Sequence, residues 1–248
     1  MILILGGTKE GREIAAELIS CGEKVKISVT TEYGASLLAD LDAEVIVKNL
    51  QEEELRSILV SQKITKLIDA THPYAREITE MALSACDNTQ TAYIRYERPL
   101  VNYPEEIDII AADNYSQAAE AAADFDKIFL STGSKNLKTF VRRVSSAKER
   151  LYARILPIVK SLQKAAAAGL GPENIVAMKG PFSSKLNRVI LQEYDVDVLV
   201  SKASGRIGGL PAKLEAAKML GLPVIIISRP DYEFPQVVSS LEELKKVL

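Results

Sequence analysis

The chain has 248 residues, of which 47% are hydrophobic, so it can bury the core of one large α/β domain or of two smaller ones. Its 31 basic and 33 acidic residues leave a net charge of −2, which excludes a broad nucleic-acid-binding surface. No apolar run approaches the length of a membrane span and no basic segment precedes the first apolar stretch, so we expect no membrane partner.

The cysteines and the single histidine limit the redox and metal chemistry. Cys21 and Cys86 form no CxxC pair, and both fall within predicted helices. We therefore expect two buried thiols in a reducing compartment, the cytoplasm, rather than a disulfide. With one histidine and no cysteine cluster, we expect no metal held by the protein.

Short β-branched apolar runs alternate with segments of helical period, which is the pattern of parallel strands covered by crossover helices. In the first part of the chain this pattern predicts strands at about 2–5, 25–29, 44–47, 67–70 and 92–96, with helices between them. Pro99 and Pro104 can neither donate to a sheet nor lie inside a helix. We therefore predict a linker at about 98–104, between a dinucleotide-binding domain at 1–98 and a second α/β domain at 99–248.

The alternation continues in the second part of the chain. It predicts strands at about 127–131, 151–155, 175–178, 198–200 and 224–227, and helices at about 115–123, 137–144, 161–168, 185–194 and 211–220. The spacing of Ser239 and Glu242 is that of a capping box, which predicts a last helix at 239–248 that can pack back on the first domain. The predicted fold class is α/β, with two Rossmann-like parallel-sheet domains and the ligand site in the crevice between them.

A glycine-containing turn at 6–11 joins the first strand to the first helix. Gly6 and Gly11 match the first and third glycines of the GxGxxG fingerprint, whereas Thr8 stands at the second. Backbone amides in such a turn can approach a pyrophosphate, and the helix amino terminus adds a partial positive charge. The turn therefore predicts cofactor contacts at Gly6, Gly7, Thr8 and Gly11; the alternative is a tight turn without a ligand.

The end of the second strand bears on the choice of cofactor. An acidic residue there would bind a ribose hydroxyl and repel a 2′-phosphate. Thr30 and Thr31 occupy the end of the strand and are candidate cofactor contacts, while Glu32 lies further along. Both NADPH and NADH remain candidate cofactors.

The only histidine, His72, lies where the fourth strand should end and a helix begin, and open α/β sheets bind ligands at such positions. Pro73 biases the backbone of His72 towards an extended conformation. We take His72, Thr71 and Tyr74 as candidate catalytic residues, and Asp69 and Thr71 as candidate cofactor contacts. The alternative is that Asp69 and Thr71 only cap the next helix and that His72 is a solvated loop residue.

Basic residues follow the predicted strands of both halves, often beside glycine-containing loops. Well-formed charge-assisted hydrogen bonds contribute about 1.5–3 kcal/mol each, so such residues suit a ligand with many carboxylates or phosphates. The alternative for each of these residues is an ordinary solvated surface charge. The same two possibilities apply to Arg229, which follows the last predicted strand. The candidate substrate-binding residues are Arg95, Arg98, Ser134, Lys135, Lys179, Lys202, Ser204, Arg206 and Lys213.

Six blocks taken together, at 4–8, 69–75, 95–99, 131–135, 180–183 and 201–205 with Lys213 following, resemble the precorrin-6A reductase and cobalt-precorrin-6A reductase family of cobalamin biosynthesis. The resemblance spans nearly the whole chain. It implies a two-domain oxidoreductase acting on a CH–CH group, which binds NADPH or NADH and a polycarboxylate tetrapyrrole. Such an enzyme transfers a hydride to one double bond of precorrin-6A or cobalt-precorrin-6A, while an acid or water supplies a proton.

Other functions are compatible with parts of the pattern. A short-chain dehydrogenase is disfavoured because none of the nine tyrosines begins a Tyr-x-x-x-Lys pair. A second alternative is a non-catalytic redox sensor of Rossmann type, but such a sensor does not require a second domain lined with cations. A third is a two-lobed anion-binding protein, in which the first glycine turn would have no function. We expect a monomer or small homo-oligomer with a small-molecule substrate.

Overall fold

The computed structural model describes residues 1–205 and 208–248, and the chain divides into two units. One unit consists of Met1–Pro99 with Asp231–Leu248, and the other of Leu100–Pro230. The predicted contact Arg206 lies outside the described residues.

The helices and strands alternate along most of the chain. In order they are β1 (Ile2–Leu5), α1 (Lys9–Ser20), β2 (Val25–Val29), α2 (Glu32–Ser36), β3 (Glu44–Val47), α3 (Glu52–Ser61), β4 (Lys66–Asp69), α4 (Arg76–Thr89), β5 (Ala92–Tyr96), β6 (Ile109–Ala112), α5 (Tyr115–Ala122), β7 (Ile128–Leu130), α6 (Leu137–Arg143), α7 (Ala147–Arg150), β8 (Leu151–Ile155), α8 (Val159–Ala167), a 3-10 turn (Pro172–Asn174), β9 (Ile175–Ala177), α9 (Ser184–Glu193), β10 (Val198–Lys202), α10 (Leu210–Leu220), β11 (Val224–Ile227), β12 (Val237–Val238) and α11 (Leu241–Val247).

The first unit contains a six-stranded parallel sheet in the order β12-β5-β4-β1-β2-β3. The strand order reverses between β1 and β4, where Leu5 lies level with Asp69. Residues 2–5 are buried throughout, as expected for a central strand covered on both faces. The turns that follow β1 and β4 therefore meet at the reversal point, which is where this class of sheet binds ligands.

The second unit contains a six-stranded parallel sheet in the order β6-β11-β10-β7-β8-β9. Its order reverses between β7 and β10, so β7 and β10 correspond to β1 and β4 of the first unit. Leu130 lies level with Val200 on one side and with Ala153 on the other. The fold class predicted from the sequence, two Rossmann-like α/β sheets, is thus confirmed.

The predicted strands all form, each ending within two residues of its predicted bounds, but β6 and β12 were not predicted. The sequence assigns 99–248 to the second domain, whereas Asp231–Leu248 lies with the first unit. The last helix begins one residue later than the predicted capping box requires: Ser240 is the cap, and its Oγ accepts from the N–H of Glu243 at 3.1 Å.

The cysteine prediction was half wrong. Cys86 is buried in α4, but Cys21 is exposed at the carboxyl cap of α1, one position after the last helical residue. Among the described residues, no helix combines the length and apolar content needed to cross a bilayer, and no group of three or more His, Cys, Asp or Glu side chains is suited to a metal ion.

Candidate functional site

Two glycines let α1 pack closely on the first sheet. A Cβ at Gly6 would lie 2.8 Å from Cδ1 of Ile27, and a Cβ at Gly11 would lie 3.1 Å from Cα of Gly6. The N–H of Gly6 donates to the carbonyl of Ser28 at 2.8 Å, so it takes part in the sheet. Gly6 thus packs against β2 in the turn, and Gly11 has the close helix–strand packing that the fingerprint gives its third glycine.

Gly7 and Thr8 form the open part of the same turn. Gly7 has φ +93, and a Cβ there would meet nothing within 4 Å. The Thr8 hydroxyl donates to the carbonyl of Ala70 at 2.8 Å and accepts from the N–H of Gly11 at 3.1 Å, joining the turn to the end of β4. Within the described residues, the N–H groups of Gly7 and Thr8 donate to no protein acceptor. They are free to bind an anion at the amino terminus of α1.

Arg98 pairs within the first unit. Its guanidinium contacts both carboxylate oxygens of Glu10, with Nη2 donating to Oε2 at 3.1 Å, and the Glu10 side chain is only 6% exposed. Glu10 lies in the first turn of α1, so the ion pair neutralises a carboxylate close to the candidate anion site. The sequence predicts Arg98 as a substrate contact; in the structure its guanidinium is paired with Glu10.

The threonines after β2 are both exposed. The Oγ1 of Thr31 accepts from the N–H of Gly34 at 3.0 Å and caps the short helix α2. Thr30 immediately precedes this cap, and Glu32 is the first residue of α2. Both threonines lie at the carboxyl edge of the first sheet, where the sequence predicts them.

Asp69, at the end of β4, is the centre of a buried network. It is 0% exposed. Its Oδ1 accepts from the N–H and the hydroxyl of Thr71 at 2.9 and 2.6 Å, and its Oδ2 accepts from the hydroxyls of Thr79 and Tyr93 at 3.0 and 2.8 Å. Burial, together with the Asp69 charge, raises the pKa of Tyr93, which keeps that hydroxyl protonated as a donor. The predicted cofactor contact at Asp69 is thus occupied by protein groups.

Arg95 supplies the charge that balances Asp69. Its Nη1 lies 2.9 Å from Asp69 Oδ1, its Nε donates to Glu97 at 2.9 Å, and its guanidinium carbon lies 5.7 Å from the ring centre of Phe234. Nη2 also donates to the carbonyl of Thr71 at 3.2 Å. The side chain is 1% exposed, so the sequence-based prediction of a substrate contact at Arg95 disagrees with its position. Together, Asp69 and Arg95 fix both the side chain and the backbone of Thr71.

His72 follows directly and is half-buried. Its Nδ1 accepts from the N–H of Tyr74 at 3.2 Å, and the two ring centres are 5.7 Å apart. Because Nδ1 is an acceptor, the hydrogen-bond network assigns the neutral ring its proton on Nε2. Ala75, not Asp69 or Thr71, is the amino-terminal cap of α4, and it makes no side-chain cap. The alternative that Asp69 and Thr71 cap this helix was wrong.

The reversal point of the second sheet carries similar loops. The hydroxyl of Ser131 donates to the carbonyl of Val200 at 2.9 Å and joins the loop after β7 to β10. Thr132 is 7% exposed, and its hydroxyl makes no hydrogen bond within the described part of the chain. The predicted contacts Ser134 and Lys135 follow in the same loop, half-buried and exposed respectively.

Lys213, on α10, is buried. Its Nζ donates to Oγ of Ser201 at 3.0 Å. Burial lowers the pKa of Lys213 to about 7, and the charges of Arg154 and Lys202 add to this shift. Lys202 itself is half-buried at the end of β10.

Arg154, on β8, is a buried cation that the sequence reasoning missed. Its Nη1 donates to Oδ1 of Asn187 at 2.7 Å, and its guanidinium carbon lies 4.2 Å from the ring centre of Phe182 and 5.8 Å from that of Phe129. Burial lowers the pKa of Arg154 to about 10. The sequence signal for it is an arginine inside the apolar run 151–155. The sequence-based candidates are basic residues at strand ends, so they do not include Arg154.

The remaining predicted contacts lie on loops of the second unit. Lys179 is exposed after β9. Ser204 is buried, and its hydroxyl donates to the carbonyl of Gly208 at 3.4 Å. Arg229 donates through Nε to the carbonyl of Ala203 at 2.9 Å. All of these follow strands of the second sheet at their carboxyl ends.

Comparison with known proteins gives one consistent result. The family model described as precorrin-6x reductase CbiJ/CobK matches residues 1–248. The cobalt-precorrin-6A reductase of Priestia megaterium is 35% identical over 250 residues, covering 100% of this chain and 98% of its own. The precorrin-6A reductase of Rhodobacter capsulatus is 28% identical, covering 97% and 92%. A solved CobK precorrin-6A reductase has a TM-score of 0.77 at 25% identity, covering 99% and 95%.

Proposed function

The chain belongs to the precorrin-6x reductase family, and from that premise we propose that it transfers a hydride from NADPH or NADH to one double bond of cobalt-precorrin-6A or precorrin-6A, giving the 6B form. The observation that carries the proposal is the reversal point of the first sheet. There, an open glycine turn at the amino terminus of α1 is hydrogen-bonded, through Thr8, to the end of β4, just before Thr71 and His72. Such a point is the usual dinucleotide site of this fold.

The first unit would bind the dinucleotide. The N–H groups of Gly7 and Thr8 suit a pyrophosphate, because the backbone there is open and its donors have no protein acceptor among the described residues. Thr30 and Thr31 are the candidate ribose contacts. A reduced nicotinamide supplies a hydride when bound, so the protein needs no nucleophile of its own.

The segment from Thr71 to Tyr74 would contact the nicotinamide and the macrocycle. Asp69 and Arg95 are positioning residues in this proposal, because their groups contact Thr71 and are buried from any ligand. His72 has a positioning role through Nδ1, which holds the N–H of Tyr74, and presents Nε2–H as a donor. The proton that completes the reduction comes from water or an acid in the site.

The second unit would bind the acid side chains of the macrocycle. The candidates are those that the sequence predicts for this part of the chain: Ser134, Lys135, Lys179, Lys202, Ser204, Arg206 and Lys213. Relatives that are 32–36% identical to this chain are named cobalt-precorrin-6A reductases, which makes the cobalt form the first substrate to test.

The test is to mix the purified protein with each macrocycle and each reduced cofactor under anaerobic conditions. We expect loss of nicotinamide absorbance that depends on the macrocycle, and a product heavier by two hydrogen atoms. Cofactor without macrocycle is the control. If both cofactors bind yet stay reduced with both macrocycles, the proposal is wrong and the redox-sensor alternative gains.

Two substitutions separate the roles of His72. His72→Asn keeps an acceptor where Nδ1 lies, so we expect it to retain most of the turnover rate. His72→Gln keeps an amide near Nε2 but loses that acceptor, and we expect it to be slower. If His72→Asn also slows turnover by about 10²–10⁴-fold, His72 is a proton donor rather than a positioning residue.

A further inference from the structure

The buried cations of the two units differ in their partners. Four basic side chains are buried among the described residues. In the first unit, Lys26 pairs with Glu44, and Arg95 pairs with Asp69 and Glu97. In the second unit, the two cations have no carboxylate within ion-pair distance in the described part of the chain; they are Arg154 and Lys213.

Among the described residues, the groups that contact Arg154 and Lys213 are neutral. Asn187 accepts from Arg154, Ser201 accepts from Lys213, and the ring of Phe182 covers the guanidinium. Burying a charge without a counter-charge costs several kcal/mol, and two like charges that repel each other make it worse. An anion beside both cations would offset these costs, so the arrangement is complete only with a ligand.

The position of the two cations agrees with this reading. Lys213 contacts Ser201 near the end of β10, and Arg154, on β8, packs over Phe129 of β7, so both cations lie beside the two strands between which the strand order reverses. Ligands of open α/β sheets bind outside the carboxyl ends of the strands at that point. Thr132, in the loop after β7, adds an independent observation: its buried hydroxyl has no partner among the described residues.

The same edge of the sheet exposes apolar side chains. Leu156, Ile158 and Val159 follow β8 and are 50%, 50% and 70% exposed, and Met178 follows β9 at 37%. Apolar surface beside a cation suits an acid carried on a ring system better than a free inorganic anion. The ligand class indicated is therefore a carboxylate on a large, partly apolar molecule.

We propose that Arg154 and Lys213 form a buried carboxylate-binding site at the reversal point of the second sheet, with Lys202 and Thr132 beside it, and that it takes one acid side chain of the macrocycle. Arg154 is the anchor of the site, and Phe182 and Asn187 hold its planar fork in place. The inference rests on the proposed function for the identity of its ligand. It adds Arg154, which is not among the binding residues predicted from the sequence.

Binding should be accompanied by proton uptake. The folded protein holds Lys213 with a pKa lowered to about 7, so this lysine is mostly neutral at pH 8. A bound carboxylate favours the charged form and raises that pKa again. Binding of a carboxylate at this site at pH 8 should therefore be accompanied by net proton uptake, which a site made of ordinary surface lysines would not show.

The test uses the full chain without cofactor and a uroporphyrin, a macrocycle with carboxylate side chains, as the probe. Titration calorimetry in two buffers of different ionisation enthalpy gives both affinity and proton uptake. We expect Arg154→Met and Lys213→Met each to weaken binding by about 10- to 100-fold, and Lys213→Met to abolish the uptake. Lys148 is an exposed lysine on α7, just before β8, so Lys148→Met is the matched control and should change neither.

Several results would overturn the site. They are wild-type affinity in both Met variants, proton uptake that persists in Lys213→Met, or equally tight binding of the uroporphyrin methyl ester, which has no charge. Inorganic phosphate that binds as tightly as the porphyrin would assign the site to a free anion instead. If Arg154→Met does not fold, Arg154→Lys replaces it, because lysine keeps the charge but loses the planar fork. The proton uptake measured on the wild-type chain then still tests whether a carboxylate binds beside Lys213.

The outcome is separable from that of the proposed function. With the authentic macrocycle and cofactor, Arg154→Met should raise KM and largely keep kcat. A wild-type chain that turns over, with KM unchanged in Arg154→Met, refutes the site and leaves the reductase reaction intact. A wild-type chain that binds the porphyrin with proton uptake but never oxidises the cofactor refutes the reaction and leaves the site.

Discussion

Replacing Arg95 by methionine would test the buried network that holds the Thr71 segment. Arg95→Met keeps most of the apolar stem but leaves the fully buried carboxylate of Asp69 without a charged partner. Removing one partner of a buried ion pair costs about 3–5 kcal/mol. We therefore expect the melting temperature of the first unit to fall by roughly 10–20 °C.

The measurement is denaturation followed by far-UV circular dichroism, because the chain has no tryptophan. Arg56→Met is the matched control, since Arg56 pairs with Glu52 through side chains that are 42% and 37% exposed, and we expect no resolvable shift. In the double variant Arg95→Met/Asp69→Asn, the unpaired charge is gone. We expect it to be more stable than Arg95→Met alone by about 0.5–3 kcal/mol. A double variant no more stable than Arg95→Met would refute the reasoning.

Three further outcomes follow from the buried groups. Lys213 has its ordinary pKa of 10.5 in the unfolded chain and a pKa of about 7 in the folded chain, so the unfolded chain binds more protons between these values. The stability of the second unit should therefore rise with pH over this range. We expect Lys213→Met to flatten that rise, measured as urea midpoints from pH 7 to 10. Burial and the charge of Asp69 raise the pKa of Cys86 to about 12, so a thiol reagent at pH 8 should modify Cys21 quickly and Cys86 only in denaturant. Gly6→Ala should lower the free energy of unfolding by about 1–3 kcal/mol through its clash with Ile27, and Ile27→Val should restore part of it.

Each of these outcomes has a result that contradicts it. A Lys213→Met variant with the wild-type pH dependence would mean that Lys213 is not desolvated, and the exposed Lys148→Met serves as its control. Two thiols reacting at the same rate in the native chain would place Cys86 in solvent. A Gly6→Ala variant as stable as the wild type would mean that the turn at Gly6 does not pack tightly against Ile27.

The central strands could be predicted because their signal is local. Runs such as Ile2–Leu5 and Val224–Ile227 are apolar throughout, as strands buried on both faces must be. The edge strand Val237–Val238 has only two residues, and Ile109–Ala112 is half-buried, so neither carries a period long enough to detect. Cys21 shows the limit at helix ends, where one position separates a buried thiol from an exposed one.

Only part of the site could be predicted. The sequence shows that a residue lies at the end of a strand, but it does not show in which direction the side chain points. Asp69 and Arg95 were predicted as ligand contacts because they end strands, yet the partners that bury them come from β5 and α4. The tautomer of His72 depends on a hydrogen bond from the N–H of Tyr74, which forms only in the folded turn. Arg154 went unnoticed because its environment is assembled from β7, α9 and the loop before α9.

The first unit is built from two stretches of chain separated by the whole of the second unit. During synthesis, Leu100–Pro230 is made before β12 and Phe234. The first sheet needs β12 to pair with β5, and Arg95 needs the ring of Phe234 to pack against. The edge of β5 therefore stays unpaired until the last stretch of the chain has been made, and the first unit cannot close before the residues of the second unit have been synthesised.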